Sequence, residues 1–394
     1  MLWVSVESPD RNLTGGSIRE AHLLEAIATR VPTDLLLVGR LADDRTRAPL
    51  RRVTELQPPA PRTAGRNRVR LSLLWHTLVR RQTVNVALNG SHRRRLRAAL
   101  RNVADEYDVV CIEHDRLAPL LPSRRSNRWV ITLQNLVSVQ MRHELATATG
   151  ARQRWVLRRQ SAVAERSERW VASRYDRVIV TSPEDAAAFA GEATVIPNGV
   201  DTDWYSPTPL PAEPRLVFTG MLGWRPNVEG LEWFVQEVWP AVREQLPEAT
   251  FTIVGAQPVP SVTAMVEIPG VTVEANVPQM RPYLEAARAA VVPLHVGSGT
   301  RIKALEAMAS GRPVIGTSVG LEGLAIESGR HALVADDPEE MARAVVAALS
   351  DDEVAGRLAT HGRQLVVDSF SWSSIGPVLA DLVLQEATRS ARPR

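Results

Sequence analysis

The chain has 394 residues, 44% hydrophobic and 23% charged, a globular balance too long for one ordinary core, so about two domains are expected. A single cysteine, Cys111, excludes an intrachain disulfide, and no run approaches the roughly 20 apolar residues of a membrane-spanning helix. The net charge of +3 divides unevenly, because residues 1–194 hold 32 arginines against 20 acids while residues 195–394 carry −9.

In chain order, "LWVSV" (2–6) reads as a strand, followed by the turn Gly15–Gly16 and a helix, "SIREAHLLEAIATR". The opening residues lack the basic and apolar regions of a signal peptide, so a cytoplasmic location is expected. Further strands are read at "DLLLVG" (34–39), "DVVCI" (108–112), "WVITL" (129–133) and "RVIVTS" (177–182). Cys111 falls inside one of these apolar runs and reads as a buried small hydrophobe. Residues 45–104 form a proline- and arginine-rich loop followed by helices. Between Arg45 and Arg101 fifteen arginines face one acid, Glu55, a field suited to an anionic small substrate or an anionic membrane surface. Nucleic acid is the weakest partner, since aromatic residues are scarce there and no recognition motif appears.

The turn-rich stretch 196–214 marks a domain boundary. Beyond it the pattern resumes, with strands at "LVFTG" (216–220), "TFTIVG" (250–255), "VTVEA" (271–275), "AAVVPL" (289–294) and "RPVIGTS" (312–318). Helices are read at Gly230–Leu246, Arg281–Ala287, Arg301–Ala309 and Glu339–Leu349. Apolar strands alternating with amphipathic helices imply an α/β protein of two doubly wound, Rossmann-like domains, with ligands at the carboxyl ends of the strands. The expected division is residues 1–195, 196–375 and a terminal helix or tail at 376–394.

The stretch "VGSGTRIKALEAMASG" (296–311) holds Lys303, the only lysine beside 46 arginines. A glycine turn leads into a helix, which Ser298 and Thr300 can cap, while Gly297 and Gly299 admit close approach of a ligand. The N-terminus of a helix favours anions, yet Arg301 and Lys303 put two cations in its first turn, an unfavourable placement unless an anion binds. Glu306 lies three residues on and shares a face with Lys303. A phosphate held by lysine and backbone N–H groups, with a carboxylate taking a sugar hydroxyl, is one reading; a well-capped structural turn is the other. The Gly-x-x-x-x-Gly-Lys phosphate loop and the Gly-x-Gly-x-x-Gly dinucleotide pattern are both absent.

The run "EAMASGRPVIGTSVGLEGL" (306–324), the junction "VIPNGVDTDWYSP", "FTGMLGWRPNVEGLEWF" (218–234) and "VTVEANVPQMRPYLEAARAAVVPL" (271–294) resemble family 4 of the retaining glycosyltransferases, which have the GT-B fold. The likeness spans about residues 104–375, and "GGSIREAHLLEAIA" extends it to the first helix. It implies two domains facing across a cleft and a nucleotide-diphosphate sugar as donor, with no cofactor and no metal. It assigns Glu306 to the ribose hydroxyls, the loop with Ser298, Gly299 and Thr300 to the phosphates, and Gly220 and Val277 to the donor site. Gly15 and Gly16 would approach the diphosphate or the acceptor, and Glu113, His114, Gln134 and Asn135 are acceptor-side candidates. The chain departs from the family pattern in three ways. Ser298 replaces a glutamate, Gln134 replaces a histidine, and the basic residues after strand 216–220 are replaced by Met221 and by Pro226 or Asn227. Arg301, Lys303 and Arg225 are therefore the candidates for stabilising the leaving diphosphate.

The resulting expectation is a nucleotide-sugar-dependent hexosyltransferase with an unidentified acceptor. That acceptor is envisaged as lipid-linked or phosphorylated, with peripheral attachment to an anionic membrane through the arginine-rich 45–101 region. A catalytically weak homologue serving as a binding partner, a natural-product glycosyltransferase with a soluble acceptor, and a sugar-nucleotide epimerase or phosphorylase remain open on the same fold.

Overall fold

Apolar runs too short for helices become strands, and their burial follows from the layers on either side. A computed structural model describes residues 1–9, 15–41, 43–58, 90–122, 125–148, 150–189, 192–297 and 300–389. The chain divides into two units, Met1–Pro197 with Ile375–Arg394, and Asn198–Ser374.

The first unit is built on a seven-stranded parallel sheet. Its strands are β1 (Leu2–Ser5), β2 (Asp34–Val38), β3 (Arg52–Leu56), β4 (Val109–Glu113), β5 (Arg128–Leu133), β6 (Arg177–Val180) and β7 (Ala193–Val195), in the order β3-β2-β1-β4-β5-β6-β7. β1, β2, β4 and β5 are buried along their whole length, as a sheet covered on both faces requires. Asp34, at the start of β2, is one of the polar residues buried in these strands. Its carboxylate accepts bonds from Arg51 at 2.7 and 2.8 Å and from the Tyr107 hydroxyl at 2.6 Å. Cys111 is buried in β4. The last helix, Trp372–Thr388, returns to this unit: the buried Glu386 carboxylate accepts from Arg128 at 2.6 Å and from Arg177 at 2.8 Å.

The second unit holds a six-stranded parallel sheet of β8 (Arg215–Thr219), β9 (Thr250–Gly255), β10 (Val271–Ala275), β11 (Ala289–Val292), β12 (Val314–Gly316) and β13 (Leu333–Val334), ordered β10-β9-β8-β11-β12-β13. One face packs on an aromatic cluster in which the Phe234 and Trp239 rings lie 5.0 and 5.6 Å from Phe251. The single helix expected at 230–246 is three pieces, with a π turn at Phe234–Val238 between the helices Arg225–Trp233 and Trp239–Gln245. Pro240 explains the break, since it has no N–H to donate and its ring crowds the carbonyl four residues back.

In both sheets the strand order reverses once, between β1 and β4 and between β8 and β11. Such switch points open a crevice at the carboxyl ends of the strands, where ligands of doubly wound sheets bind. β3, β7 and β13 were not read from the sequence. They are short edge strands, and β3 is largely exposed.

Candidate active site

At the switch point of the second unit, β8 ends and Gly220 turns the chain with φ at +151°, a conformation that favours glycine. A Cβ at Gly220 would lie 3.0 Å from both Lys303 Nζ and Asn227 Nδ2. Gly255, at the end of β9, leaves the space into which the Gly220 carbonyl projects. Asn227 sits buried in the first turn of the helix Arg225–Trp233. Its Nδ2 donates to the Met221 carbonyl at 2.7 Å, which turns Oδ1 toward the lysine. Lys303 Nζ donates to that Oδ1 at 2.5 Å and lies 4.2 Å from the centroid of the Phe218 ring.

Burial lowers the Lys303 ammonium to about 7, with the Arg301 charge acting in the same direction and Glu306 opposing it. Burial raises the Glu306 carboxyl to about 7, against a hydrogen bond from the Tyr205 hydroxyl and the charge of Lys303. Each group therefore changes charge near neutrality, and a ligand that reaches either one shifts its balance. Tyr205 was not among the residues expected here. Its place in the junction segment gives no sign, in sequence, that its hydroxyl meets a helix about a hundred residues further on.

Arg301 is placed differently from Lys303. It is buried, its Nε donates to the Val319 carbonyl at 3.0 Å, and its Nη2 lies 3.2 Å from Glu322. Its Nη1 would be 2.6 Å from a Cβ on Gly297, whose φ is +153°, so the guanidinium underpins the glycine turn. The Thr300 hydroxyl accepts from the Asn198 N–H at 3.2 Å, and Arg301, the residue at the N-cap of the helix Ile302–Ala309, makes no side-chain cap. Arg225 is exposed and paired with Glu229 at 2.7 Å. Val277 is half-buried in the loop after β10, beside Asn276, which bonds Gly255 at 2.7 Å and Gln257 at 2.9 Å. Ser298 and Gly299 lie outside the described residues, as does the 59–89 part of the arginine-rich region. In "DTD" (201–203), Asp201 accepts from the N–H groups of Asp203 and Trp204 at 3.1 and 2.9 Å, the local bonding expected of a turn aspartate.

At the switch point of the first unit the structure brings Gly16, Glu113 and Gln134 together. Gln134 Nε2 donates to Glu113 Oε1 at 2.7 Å and to the Gly16 carbonyl at 3.4 Å. A Cβ on Gly16 would run into Gln134 Oε1. Thr132 also donates to Glu113, whose carboxyl burial raises above the ordinary range. Gly15 opens the helix Gly15–Ala28. His114, with φ at +74°, has Nε2 3.8 Å from Glu7, which pairs with Arg116 at 2.7 Å. Burial, with Arg116 and Arg19 nearby, holds this imidazole down to about 3, so it is neutral at physiological pH. Asn135 is exposed. Among the described residues no three His, Cys, Asp or Glu side chains are grouped to hold a metal, and no helix is long and apolar enough to cross a membrane.

Two Rossmann-like units in one chain, the second with a basic, glycine-edged site at its switch point, constitute the GT-B architecture. Residues 46–204 match the family described as Glycosyltransferase Family 4, and residues 213–351 match Glycosyl transferases group 1. The chain belongs to the family 4, group 1 glycosyltransferases. Glycogen synthase of Mycobacterium tuberculosis is 26% identical over 285 residues, 63% of this chain and 64% of that protein, so the match spans less than two thirds of this relative. Sucrose-phosphate synthase from Thermosynechococcus elongatus superposes with a TM-score of 0.72 at 20% identity, covering 98% of both chains. HepE of Anabaena, solved in complex with UDP and glucose, gives a TM-score of 0.65 at 14% identity over 98% and 99% of the two chains. At these identities the structural likeness shows the fold.

Proposed function

We propose that this protein is a metal-independent, retaining glycosyltransferase that moves a hexosyl group from a nucleotide-diphosphate sugar to an acceptor hydroxyl. The observation that carries this is the Lys303 ammonium, held against Asn227 beside Gly220 at the switch point of the second unit. As the glycosidic bond breaks, negative charge grows on the leaving diphosphate, and a preorganised cation stabilises it. Lys303 is that cation. Asn227 keeps it in place, and Arg301, tied to Glu322, supports the glycine turn and adds to the field from beneath. Arg225 can join only by leaving Glu229. Glu306 takes the ribose hydroxyls, with Tyr205 orienting its carboxylate, and Gly220 and Val277 line the donor site.

The second unit is thus the donor-binding domain, and the first, with the terminal helix, the acceptor-binding domain. In the latter Gly16, Glu113 and Gln134 form a bonded set able to orient a polar acceptor, with neutral His114 beside it. The names of the relatives support sugar transfer, and the UDP complex of HepE supports a nucleotide-bound site. The excess of arginine in residues 1–194 favours an acceptor that is anionic or presented at an anionic membrane, in keeping with a cytoplasmic, peripheral protein.

The test is mass spectrometry of products from a panel of nucleotide sugars, with lipid extract as acceptor source. Release of nucleoside diphosphate with sugar transferred in the donor's anomeric configuration is the expected result. Nucleoside diphosphate binding without turnover would make the protein a binding homologue. Unchanged turnover in Lys303→Ala would remove the lysine from the reaction.

A further inference from the structure

The helix Ala151–Arg174 in the first unit has 24 residues and so runs about 36 Å. Leu157, Ala164 and Val171, seven residues apart, are buried and define its inward face. Arg152, Trp155, Arg159, Val163, Arg166 and Trp170 follow one another at three- and four-residue steps and, with Val156 beside Trp155, make the opposite stripe. Trp155 is 62% exposed, Trp170 39% and Val156 37%, although a tryptophan in this protein is readily used in the core: Trp3, Trp129 and Trp239 are fully buried. Among the described residues, the outward stripe is therefore an exposed line of aromatic, aliphatic and basic side chains.

Its charge is one-sided. Residues 151–164 contain four arginines and no acid. The two acids further along are already engaged: Glu165 lies 3.8 Å from Arg169, and Glu168 accepts from the Ser138 N–H at 3.1 Å. The Arg159 guanidinium sits 5.8 Å from the Trp155 ring centroid, so aromatic and cation form one combined surface.

We propose that this stripe docks the protein on an anionic lipid surface. Trp155 and Trp170 are fifteen residues apart, about 22 Å along a straight helix, and two aromatic footholds on one line suit a flat surface. Indole rings settle at the boundary of headgroups and acyl chains, while arginines reach the phosphates around them. A second copy would present the same cations and be repelled. The inference relies on the proposed function for its purpose, bringing the enzyme to a membrane-held acceptor, but its evidence is the helix alone.

The experiment is co-sedimentation of the full chain with vesicles of phosphatidylcholine, with and without phosphatidylglycerol, at low and physiological salt. Adsorption to the anionic vesicles alone, weakened by salt, is expected. Each arginine changed to serine among Arg152, Arg158 and Arg159 should lower partitioning about fivefold. Trp155→Ser with Trp170→Ser should abolish the blue shift of tryptophan emission on vesicles. Arg343→Ser, at an exposed position of the second unit, should change nothing. Nucleoside diphosphate affinity, measured by calorimetry on the same variants, should be unaltered, so loss of adsorption and loss of the donor site are told apart. The proposal is overturned by wild-type adsorption of the helix variants or by loss confined to Arg94→Ser and Arg95→Ser. It also fails if the protein self-associates in a way that Trp155→Ser dissolves, or retains RNA while ignoring vesicles.

Discussion

Lys303 is the position where chemistry and placement coincide at the scale of one residue. A compact ammonium on a flexible stem can stand on Asn227 and still turn to a phosphate, a placement that a wider planar guanidinium beside Gly220 would reproduce only in part. Lys303→Ala is expected to lower turnover by about 10²- to 10³-fold with the fold intact, and Lys303→Arg to recover only part of it; steady-state kinetics with a circular dichroism control decide this. The pH dependence has a definite sign. With its ammonium near 7, the free lysine loses its charge as pH rises through neutrality, and a bound diphosphate pulls the proton back. Diphosphate affinity should therefore fall above about pH 7, a limb that calorimetry should find absent in Lys303→Arg because arginine stays charged. Glu306 titrates in the opposite sense, being competent for hydroxyls only once ionised, above about 7. Tyr205→Phe removes a hydrogen bond that lowers this carboxyl, so the acid limb should move to higher pH. Glu306→Gln should weaken nucleotide binding by roughly 1.5–3 kcal/mol, the worth of hydrogen bonds to a charged group. An unchanged titration would make Glu306 structural.

Elements are held by a few buried contacts that the chain assembles from distant segments. The last helix is fastened through Glu386, which binds Arg128, Arg177 and Arg389 at 2.6, 2.8 and 3.0 Å. Burial alone would raise this carboxyl, but the Arg128 and Arg177 bonds outweigh it and hold it below the ordinary range. A depressed folded-state value means the contribution is present above the unfolded pKa and is lost as pH falls through the folded one. Glu386→Ala removes one carboxylate from Arg128, which keeps Asp176 at 3.2 Å, and should destabilise by roughly 1.5–3 kcal/mol in denaturant unfolding at neutral pH, less in acid. A change within about 0.5 kcal/mol, the size of an ordinary surface substitution, would show that the network is dispensable. The strands on either side of each switch point were legible because double burial writes them as continuous apolar runs. β3, with arginine and glutamate among its five residues, was not, since an edge strand needs no such run.

Across the whole molecule, charge divides unevenly along the chain. The second unit, within a half of the chain that is net acidic, keeps its local cations at the glycine turn, which is how a site can countercharge a diphosphate without a divalent ion. Transfer activity should accordingly persist in excess chelator. Activity abolished by chelator and restored by Mg²⁺ or Mn²⁺ would mean that an acid pair outside the described grouping binds metal. The arginine excess of the first unit was plain from composition, but its useful part was not. The arginines and tryptophans of the helix Ala151–Arg174 fall on one outward line only once the burial of Leu157, Ala164 and Val171 fixes its inward face.

The sequence by itself determined the class of fold, through strand–helix alternation, and the family, through the run from Glu306 to Leu324. It also singled out Lys303, because one lysine among 46 arginines is visible without coordinates. Tertiary structure alone decided what each cation does. Arg301 and Lys303 are two residues apart and both cationic types, yet one is tied to Glu322 beneath the turn and the other stands on Asn227 beside Gly220. The same holds for Tyr205 at Glu306 and for Gln134 at Glu113. These pairings join segments from twenty to about a hundred residues apart, and linear spacing carries no information about partners that only the packing of strands and helices brings within hydrogen-bonding distance.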